Sequence, residues 1–295
     1  MTARSTFHIV LLITVFAAPG YAADQFIVEN GIPKAVIVIS RNPTRMQRVA
    51  AHEFRMQIEE ISGARLPIVT QPVDDRVKIF IGASPQNPVQ ANGLKAGAYR
   101  IATGPDWMAL VGDDREFTPM EPFAKNNGDI PRAQAEWEKI VGAPYGMPAR
   151  GLYKNRLRLP GDTGKPDGAT TEPKETLEIW GLDERGSFNA VCGYLRKLGA
   201  RWYLPGELGE VLPSMKTIPL PQIDETVLPD FPLRQFNFRF STAGLETSMW
   251  VMRLGLRNDE RLQIAHGIST MTNHQGVFDA HPDWFAIYGG KTDFK

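Results

Sequence analysis

An uninterrupted apolar run and an amphipathic stretch predict the first two elements of the fold. Residues 35–39 read AVIVI, and a run made mostly of β-branched residues is typical of a strand buried on both faces. Apolar side chains then recur at helical spacing through residues 44–62. Thr44 is a suitable N-cap and Gly63 a suitable C-cap, so the pattern predicts a helix between them.

Further apolar segments predict more strands after this helix. Residues 66–69 and 77–82 are short apolar runs, and the second has the composition of a buried strand. Residues 98–102 and 107–112 flank a Gly-Pro-Asp turn, which predicts a β-hairpin. The resulting order of strand, helix and several strands is that of a compact α/β unit.

The pattern weakens between residues 113 and 176, where prolines and glycines are frequent. Only residues 133–141 have the periodicity of a short helix. So long an irregular stretch is either a disordered insertion or a functional lid. Trp137, Tyr145 and Tyr153 are the side chains that a lid would use to stack on a ligand.

Regular patterning returns in the second half of the chain. Residues 177–181 predict a strand, and residues 188–198 predict an amphipathic helix closed by Gly199. A short strand is expected over residues 200–204. Four prolines then indicate an extended linker, after which aromatic residues alternate along residues 233–240; the prolines are Pro219, Pro221, Pro229 and Pro232.

The N-terminus has the pattern of a secretory signal peptide. Arg4 precedes an apolar stretch over residues 7–18, and Gly20 and Ala22 have the small side chains of a cleavage site. A membrane anchor is the alternative, but this stretch is shorter than the roughly 20 apolar residues that a span requires. We therefore expect residues 1–22 to be a signal peptide and the protein to be secreted or periplasmic, with no integral membrane segment after cleavage.

Charge and cysteine content exclude several classes of protein. Lys and Arg together number 33, as do Asp and Glu, and no basic stripe indicates nucleic acid as a partner. The single cysteine, Cys192, cannot form an internal disulfide and lies in the helical pattern of residues 188–198, where burial is expected rather than a catalytic role.

The segment around residues 198–213 carries a resemblance to a known family. It reads LGARWYLPGELGEVLP and follows Arg185-Gly186 at the start of the preceding helix. This junction resembles the end of the N-terminal domain of family 67 glycoside hydrolases, the α-glucuronidases. It is also similar to that domain in β-N-acetylhexosaminidases and in large secreted bacterial proteins, where residues 281–286 (HPDWFA) and the GGK of residues 289–291 have counterparts as well.

The resemblance implies a domain organisation and a substrate class. Residues 24–222 would form the α/β N-terminal domain, with an insertion at 113–176, and residues 223–295 would begin a (β/α)8 barrel. Arg234 and Asn237 match an Arg-x-x-Asn pattern on the first barrel strand and would bind the sugar. For Arg234, a salt-bridged surface position is an equally open alternative. The partner would be a poly- or oligosaccharide.

Local chemistry at the same junction gives further expectations. Asp183 or Ser187 is expected to cap the helix that follows. Trp202 and Tyr203 are expected to wedge against a neighbouring domain rather than to stack on a sugar. Glu207, together with Glu210 in the same glycine-rich loop, is expected to be a surface charge.

The residues that would carry catalysis are not identified. Glycoside hydrolysis typically uses two carboxylates, and in the resembled families these come from later barrel strands, so the pair is expected to be missing from this sequence. No nucleotide-binding, P-loop or zinc-protease pattern occurs, so no cofactor and no metal are expected. A loop metal site from His274, Asp279 and His281 is conceivable, although exposed histidines are the ordinary case.

Two other functions remain as alternatives to the glycosidase-like one. A non-catalytic carbohydrate-binding or scaffold module would bind its ligand through Trp137, Tyr145 and Trp180. A periplasmic solute-binding protein is disfavoured, because the alternation of strand and helix stops after one helix.

Overall fold

The computed structural model describes ten segments of the chain. They are residues 25–118, 122, 127–141, 154–159, 175–180, 183–231, 234, 245–256, 275–285 and 287–292. The predicted signal peptide, Tyr145, Tyr153, Asn237 and His274 lie outside them. The chain divides into two compact units, Met1–Arg257 and Asn258–Lys295, which are treated separately below.

The first unit consists of four helices and thirteen strands among the described residues. The helices are α1 (Arg45–Ser62), α2 (Ile130–Val141), α3 (Gly186–Leu198) and α4 (Leu245–Arg253). The strands are β1 (Phe26–Glu29), β2 (Ile32–Pro33), β3 (Ala35–Val38), β4 (Ile68–Val69), β5 (Val77–Ile81), β6 (Tyr99–Thr103), β7 (Trp107–Gly112), β8 (Lys154–Leu159), β9 (Glu175–Trp180), β10 (Arg201–Trp202), β11 (Glu210–Val211), β12 (Ile218–Pro219) and β13 (Asp224–Val227).

A six-stranded mixed sheet forms the centre of this unit, in the order β13-β6-β7-β5-β3-β4. Strands β4, β3, β5 and β7 run parallel to one another, whereas β6 is antiparallel to both β7 and β13. The β6–β7 hairpin and the buried β3 confirm the sequence predictions. Smaller sheets are formed by β12-β1-β2, by β10-β11 and by β8-β9.

Helices cover one face of the six-stranded sheet. Phe54 and Ile58 of α1 and Phe188 and Tyr194 of α3 belong to the same buried cluster as Ile79 of β5. A smaller apolar cluster, which includes Phe80, lies on the other face of the sheet. The first unit is therefore a mixed α/β fold, as predicted in outline.

Helix α1 begins and ends through local signals. The Thr44 hydroxyl accepts a hydrogen bond from the Gln47 backbone N–H at 3.2 Å, and the Gln47 side chain accepts one from the Thr44 N–H at 3.2 Å. Gly63 ends the helix with φ of +81°, in the left-handed region where a β-carbon is penalised. This reciprocal capping box satisfies two backbone donors that the first turn leaves free.

Replacing Thr44 with alanine is expected to lower the free energy of unfolding by about 1 kcal/mol, because the cap of α1 is lost. Urea denaturation measures the change. Thr226→Ala, on the edge strand β13 and exposed, is the matched control and should stay within about 0.5 kcal/mol of the unchanged protein. Equal losses in the two variants would contradict the capping role.

The structure differs from the sequence predictions in two segments of this unit. The insertion contains α2, which starts three residues earlier than predicted, and β8, which pairs with β9 along its full length. The proline-rich segment is extended as predicted, but it is not a free linker. It supplies β12 to one sheet and β13 to another, and prolines are tolerated there because both are edge strands.

The second unit is small in its described part. It contains helix α5 (Gln275–Ala280), a 3-10 turn at Pro282–Trp284, and the hairpin of β14 (Ile287–Tyr288) and β15 (Lys291–Thr292). The predicted first barrel strand, residues 234–239, lies outside the described residues except for Arg234. No helix in the described part of the chain is both long and apolar enough to cross a membrane.

Candidate functional site

An open cleft of about 490 Å³ lies at the carboxyl edge of the central sheet. It is lined by Thr44 and Gln47 at the start of α1, by Ala83 after β5, by residues 90–95, and by residues 112–115 after β7. Ligands of α/β sheets bind in the crevice outside the carboxyl ends of parallel strands. The position of the cleft therefore makes it a candidate binding site.

Asp114 is the buried acid in the wall of this cleft. Its two oxygens accept hydrogen bonds from the Ser187 backbone N–H at 2.9 Å and from the Ser187 hydroxyl at 2.6 Å. Burial raises the pKa of Asp114 to about 7, and the hydrogen bonds from Ser187 and Gln47 oppose this rise. Because both oxygens are engaged by Ser187, Asp114 joins the start of α3 to the end of β7.

The capping of α3 therefore differs from the prediction. Neither Asp183 nor Ser187 caps it: the N-cap residue is Arg185, with no side-chain capping bond, and the distant Asp114 receives the Ser187 N–H instead. Asp183 accepts two hydrogen bonds from the Arg45 guanidinium, at 2.9 and 2.7 Å, and one from the Phe117 N–H at 2.9 Å. Asp183 thus ties α1 to the loop before α3.

Stability should fall as the pH rises through the titration of Asp114. The folded protein keeps this proton up to about pH 7, whereas the unfolded chain releases it near the ordinary value of 3.8. The folded state binds more protons between these values, so the free energy of unfolding decreases from pH 4 to pH 7. An asparagine at this position has no proton to release in this range. In Asp114→Asn the free energy of unfolding should therefore fall by a few kcal/mol less between pH 4 and pH 7.

Urea denaturation of both proteins at several pH values between 4 and 8 measures this difference. Asp113→Asn is the control: the Asp113 carboxylate accepts from the exposed Arg115 at 2.7 Å, and its charge is the smallest influence on the Asp114 pKa, so this substitution should change the pH profile much less than Asp114→Asn does. If the free energy of unfolding changed with pH in the same way in the unchanged protein and in Asp114→Asn, the raised pKa of Asp114 would be contradicted.

Residues of the junction 198–213 take part in a second arrangement, a buried ionic cluster that we call the Arg253 socket. It consists of Glu53, Trp202, Glu210 and Arg253. Arg253 donates to Glu53 at 2.7 Å and to Glu210 at 2.6 Å, and its guanidinium lies 5.6 Å from the centroid of the Trp202 ring. Trp202 Nε1 also donates to Glu210, at 2.9 Å.

Burial in the Arg253 socket favours the protonated form of Glu53. Desolvation raises the pKa of Glu53, whose side chain is 1% exposed, and the positive charge of Arg253 opposes the rise. The prediction that Glu210 is a surface charge is wrong, because its side chain is only 15% exposed and is paired with Arg253. Glu207 is exposed, as predicted.

Arginines from three parts of the chain also hold the end of α4. Arg196 donates to the Arg253 carbonyl at 2.9 Å, Arg234 donates to the Gly255 carbonyl at 2.9 Å, and Arg185 donates to the Leu256 carbonyl. The Trp250 ring N–H in α4 donates to the Trp202 carbonyl at 3.1 Å. Charge-assisted hydrogen bonds from Arg185, Arg196 and Arg234 therefore hold the end of α4. The junction motif binds the same helix through the Trp202 carbonyl and Glu210.

The residues predicted to bind sugar are only partly described. The Arg234 guanidinium donates to the carbonyls of Phe231, Ala96 and Gly255, at 2.6, 3.0 and 2.9 Å. These bonds hold it against backbone in this structure, and its role toward sugar stays a prediction. Asn237 lies outside the described residues, so its role toward sugar also stays a prediction.

Other predicted features have simpler outcomes. Cys192 is buried, and burial raises the pKa of its thiol, as expected for a structural residue. Trp202 is buried and accepts a hydrogen bond from Trp250 of α4 at its carbonyl, while Tyr203 beside it is exposed; their role as an interdomain wedge stays a prediction. Among the described residues no group of three or more His, Cys, Asp or Glu could hold a metal ion.

Two residues were not predicted from the sequence: Asp114, the buried carboxyl group in the cleft wall, and Arg253, the cation at the centre of the Arg253 socket. Asp114 lies two residues after the end of the buried strand β7, which is the one local signal that could have indicated it. Comparison with known proteins adds no identity: no protein-family model matches the chain, and a search of curated proteins gave no significant match.

Proposed function

We propose that this chain is the N-terminal portion of a secreted glycoside-hydrolase-like protein that acts on poly- or oligosaccharide. In this proposal the α/β unit is a supporting domain of the α-glucuronidase and hexosaminidase type. The residues after the proline-rich segment begin a (β/α)8 barrel, with Arg234 and Asn237 facing the sugar. Residues 1–22 direct the protein out of the cytoplasm.

The Arg253 socket is the observation that carries this proposal. The motif residues that resemble the glycosidase N-terminal domain, Trp202 and Glu210, are those that bind α4, the first helix after the proline-rich segment. A motif that binds the helix after the proline-rich segment suits an N-terminal domain, because such a domain has to hold the start of the domain that follows it. Fold analogy supplies the enzymatic class.

A non-catalytic carbohydrate-binding module is the second candidate, and the cleft favours it. The cleft walls offer amide, hydroxyl and charged groups, including Gln90, Asn92 and Lys95, that suit a polyhydroxylated ligand. Such a module would bind glycan through the first unit alone. It would need no barrel and no pair of catalytic carboxylates.

Hydrolysis assays on the product of the complete reading frame test the first candidate. Aryl glycosides and uronic-acid-capped oligosaccharides are the substrates, and a variant lacking one barrel carboxylate is the control. We expect turnover that this substitution abolishes. Absence of turnover, together with saturable glycan binding by residues 24–257, would replace the enzyme with the binding module.

A further inference from the structure

The second unit presents two exposed aromatic rings in a parallel stack. The rings of His281 and Trp284 have centroids 3.9 Å apart and planes inclined by 5°. Both residues are exposed, and Trp284 has 59% of its surface open to solvent. His281 covers one face of the Trp284 indole, so the exposed surface of Trp284 includes the opposite face.

Local structure holds this stack in place. Pro282 opens the 3-10 turn, where its fixed φ suits the first helical position. The Trp284 N–H donates to the His281 carbonyl at 3.1 Å, and the Phe285 N–H donates to the Pro282 carbonyl at 3.3 Å. Phe285, directly after the turn, packs edge to face against Phe278 of α5, with ring centroids 5.0 Å apart. The open indole face is therefore presented by an ordered turn.

The surroundings of the stack limit the ligand that it suits. A cation site usually surrounds the cation with several aromatic faces, whereas here His281 and Trp284 lie parallel and offer one flat face. A nucleic-acid base would also stack on a flat ring, but such platforms lie in positively charged grooves. Asp283, which is exposed, lies on this turn instead, and its carboxylate repels phosphate.

We propose that the open face of Trp284 is a stacking site for one pyranose ring of a saccharide, with the carboxylate of the adjacent residue Asp283 as a hydrogen-bond acceptor. The apolar C–H face of the sugar lies on the indole, and Asp283 accepts a hydrogen bond from a ring hydroxyl. His281 is a positioning residue that keeps the indole in its orientation. The choice of saccharide rests in part on the proposed function.

Binding of the full chain to an array of hexose, pentose, uronic-acid and amino-sugar oligosaccharides tests the site. Trp284→Ala is expected to weaken binding by about tenfold or more, as loss of one stacked ring does. Trp284→Phe should keep part of the affinity, and Asp283→Asn should weaken binding without disturbing the fold. Tyr203→Ala removes an equally exposed aromatic ring of the first unit and should change nothing.

Three outcomes would overturn the proposal. The first is glycan binding that is unchanged in both Trp284→Ala and Asp283→Asn, which leaves the carbohydrate function intact and removes this site alone. The second is an unchanged protein that binds no glycan on the array, and the hydrolysis assay then decides separately on the proposed function. The third is tighter binding of tetramethylammonium or adenosine monophosphate than of any glycan.

Discussion

Arg253→Met is expected to lower the free energy of unfolding of the first unit by about 3–5 kcal/mol, because it removes one partner of a buried ion pair. Glu53 would remain buried without the charge that compensates it, and the Trp202 ring would lose the guanidinium above it. Urea denaturation followed by far-UV circular dichroism measures the loss.

Two further variants and the pH dependence distinguish the loss of the buried ion pair from the loss of side-chain packing in Arg253→Met. Arg65→Met removes a half-exposed pair with Glu59 and should cost no more than about 1 kcal/mol. Adding Glu53→Gln to Arg253→Met should restore part of the loss, because the more deeply buried of the two acids then carries no charge. The loss should also shrink at acidic pH, where Glu53 is protonated. A loss equal to that of Arg65→Met would contradict the socket.

Gly112→Ala is expected to destabilise the first unit by about 3 kcal/mol, since the new β-carbon has no room. It would lie 2.4 Å from the Gly186 backbone and 2.8 Å from the Ala98 carbonyl oxygen, and neither can move without shifting an element. Displacing the start of α3 would also draw Ser187 away from Asp114. Calorimetry of the variant should show a lower Tm.

Other glycines provide the comparison for this prediction. Gly186→Ala should give a similar loss, because its β-carbon would lie 2.5 Å from the Asp113 nitrogen at the same close approach. Gly276→Ala in α5 meets no atom within 4 Å and should not lower the Tm of the first unit. A Gly112→Ala protein as stable as the unchanged one would show that β7 and α3 are not in this contact.

Elements with local signals were predictable from the sequence. Helix α1 has its cap, its apolar face and its terminal glycine within twenty residues, so its bounds were predicted almost to the residue. Gly199 ends α3 with φ of +113°, and this end was predicted for the same reason. Strand β8 was missed because its sequence KNRLRL places charges at every other position and lies among glycines and prolines.

The functional arrangements depend on partners far apart in the chain, and these were not predictable. Glu210 looked like a loop charge because nothing nearby could bury it, and its partner Arg253 is 43 residues away. Asp183 looked like a helix cap, yet Arg45, 138 residues earlier, binds it bidentately. The hydrophobic periodicity of a single sequence indicates helices and strands. It does not indicate which charged side chains form ion pairs when those elements pack together.

The most direct test of the proposed function is hydrolysis by the full-length protein, assayed on aryl glycosides and uronic-acid-capped oligosaccharides. The account predicts turnover that disappears when one barrel carboxylate is replaced, and that decreases at raised temperature in Arg253→Met as the supporting domain unfolds. A folded protein that neither hydrolyses these substrates nor binds any glycan would contradict it.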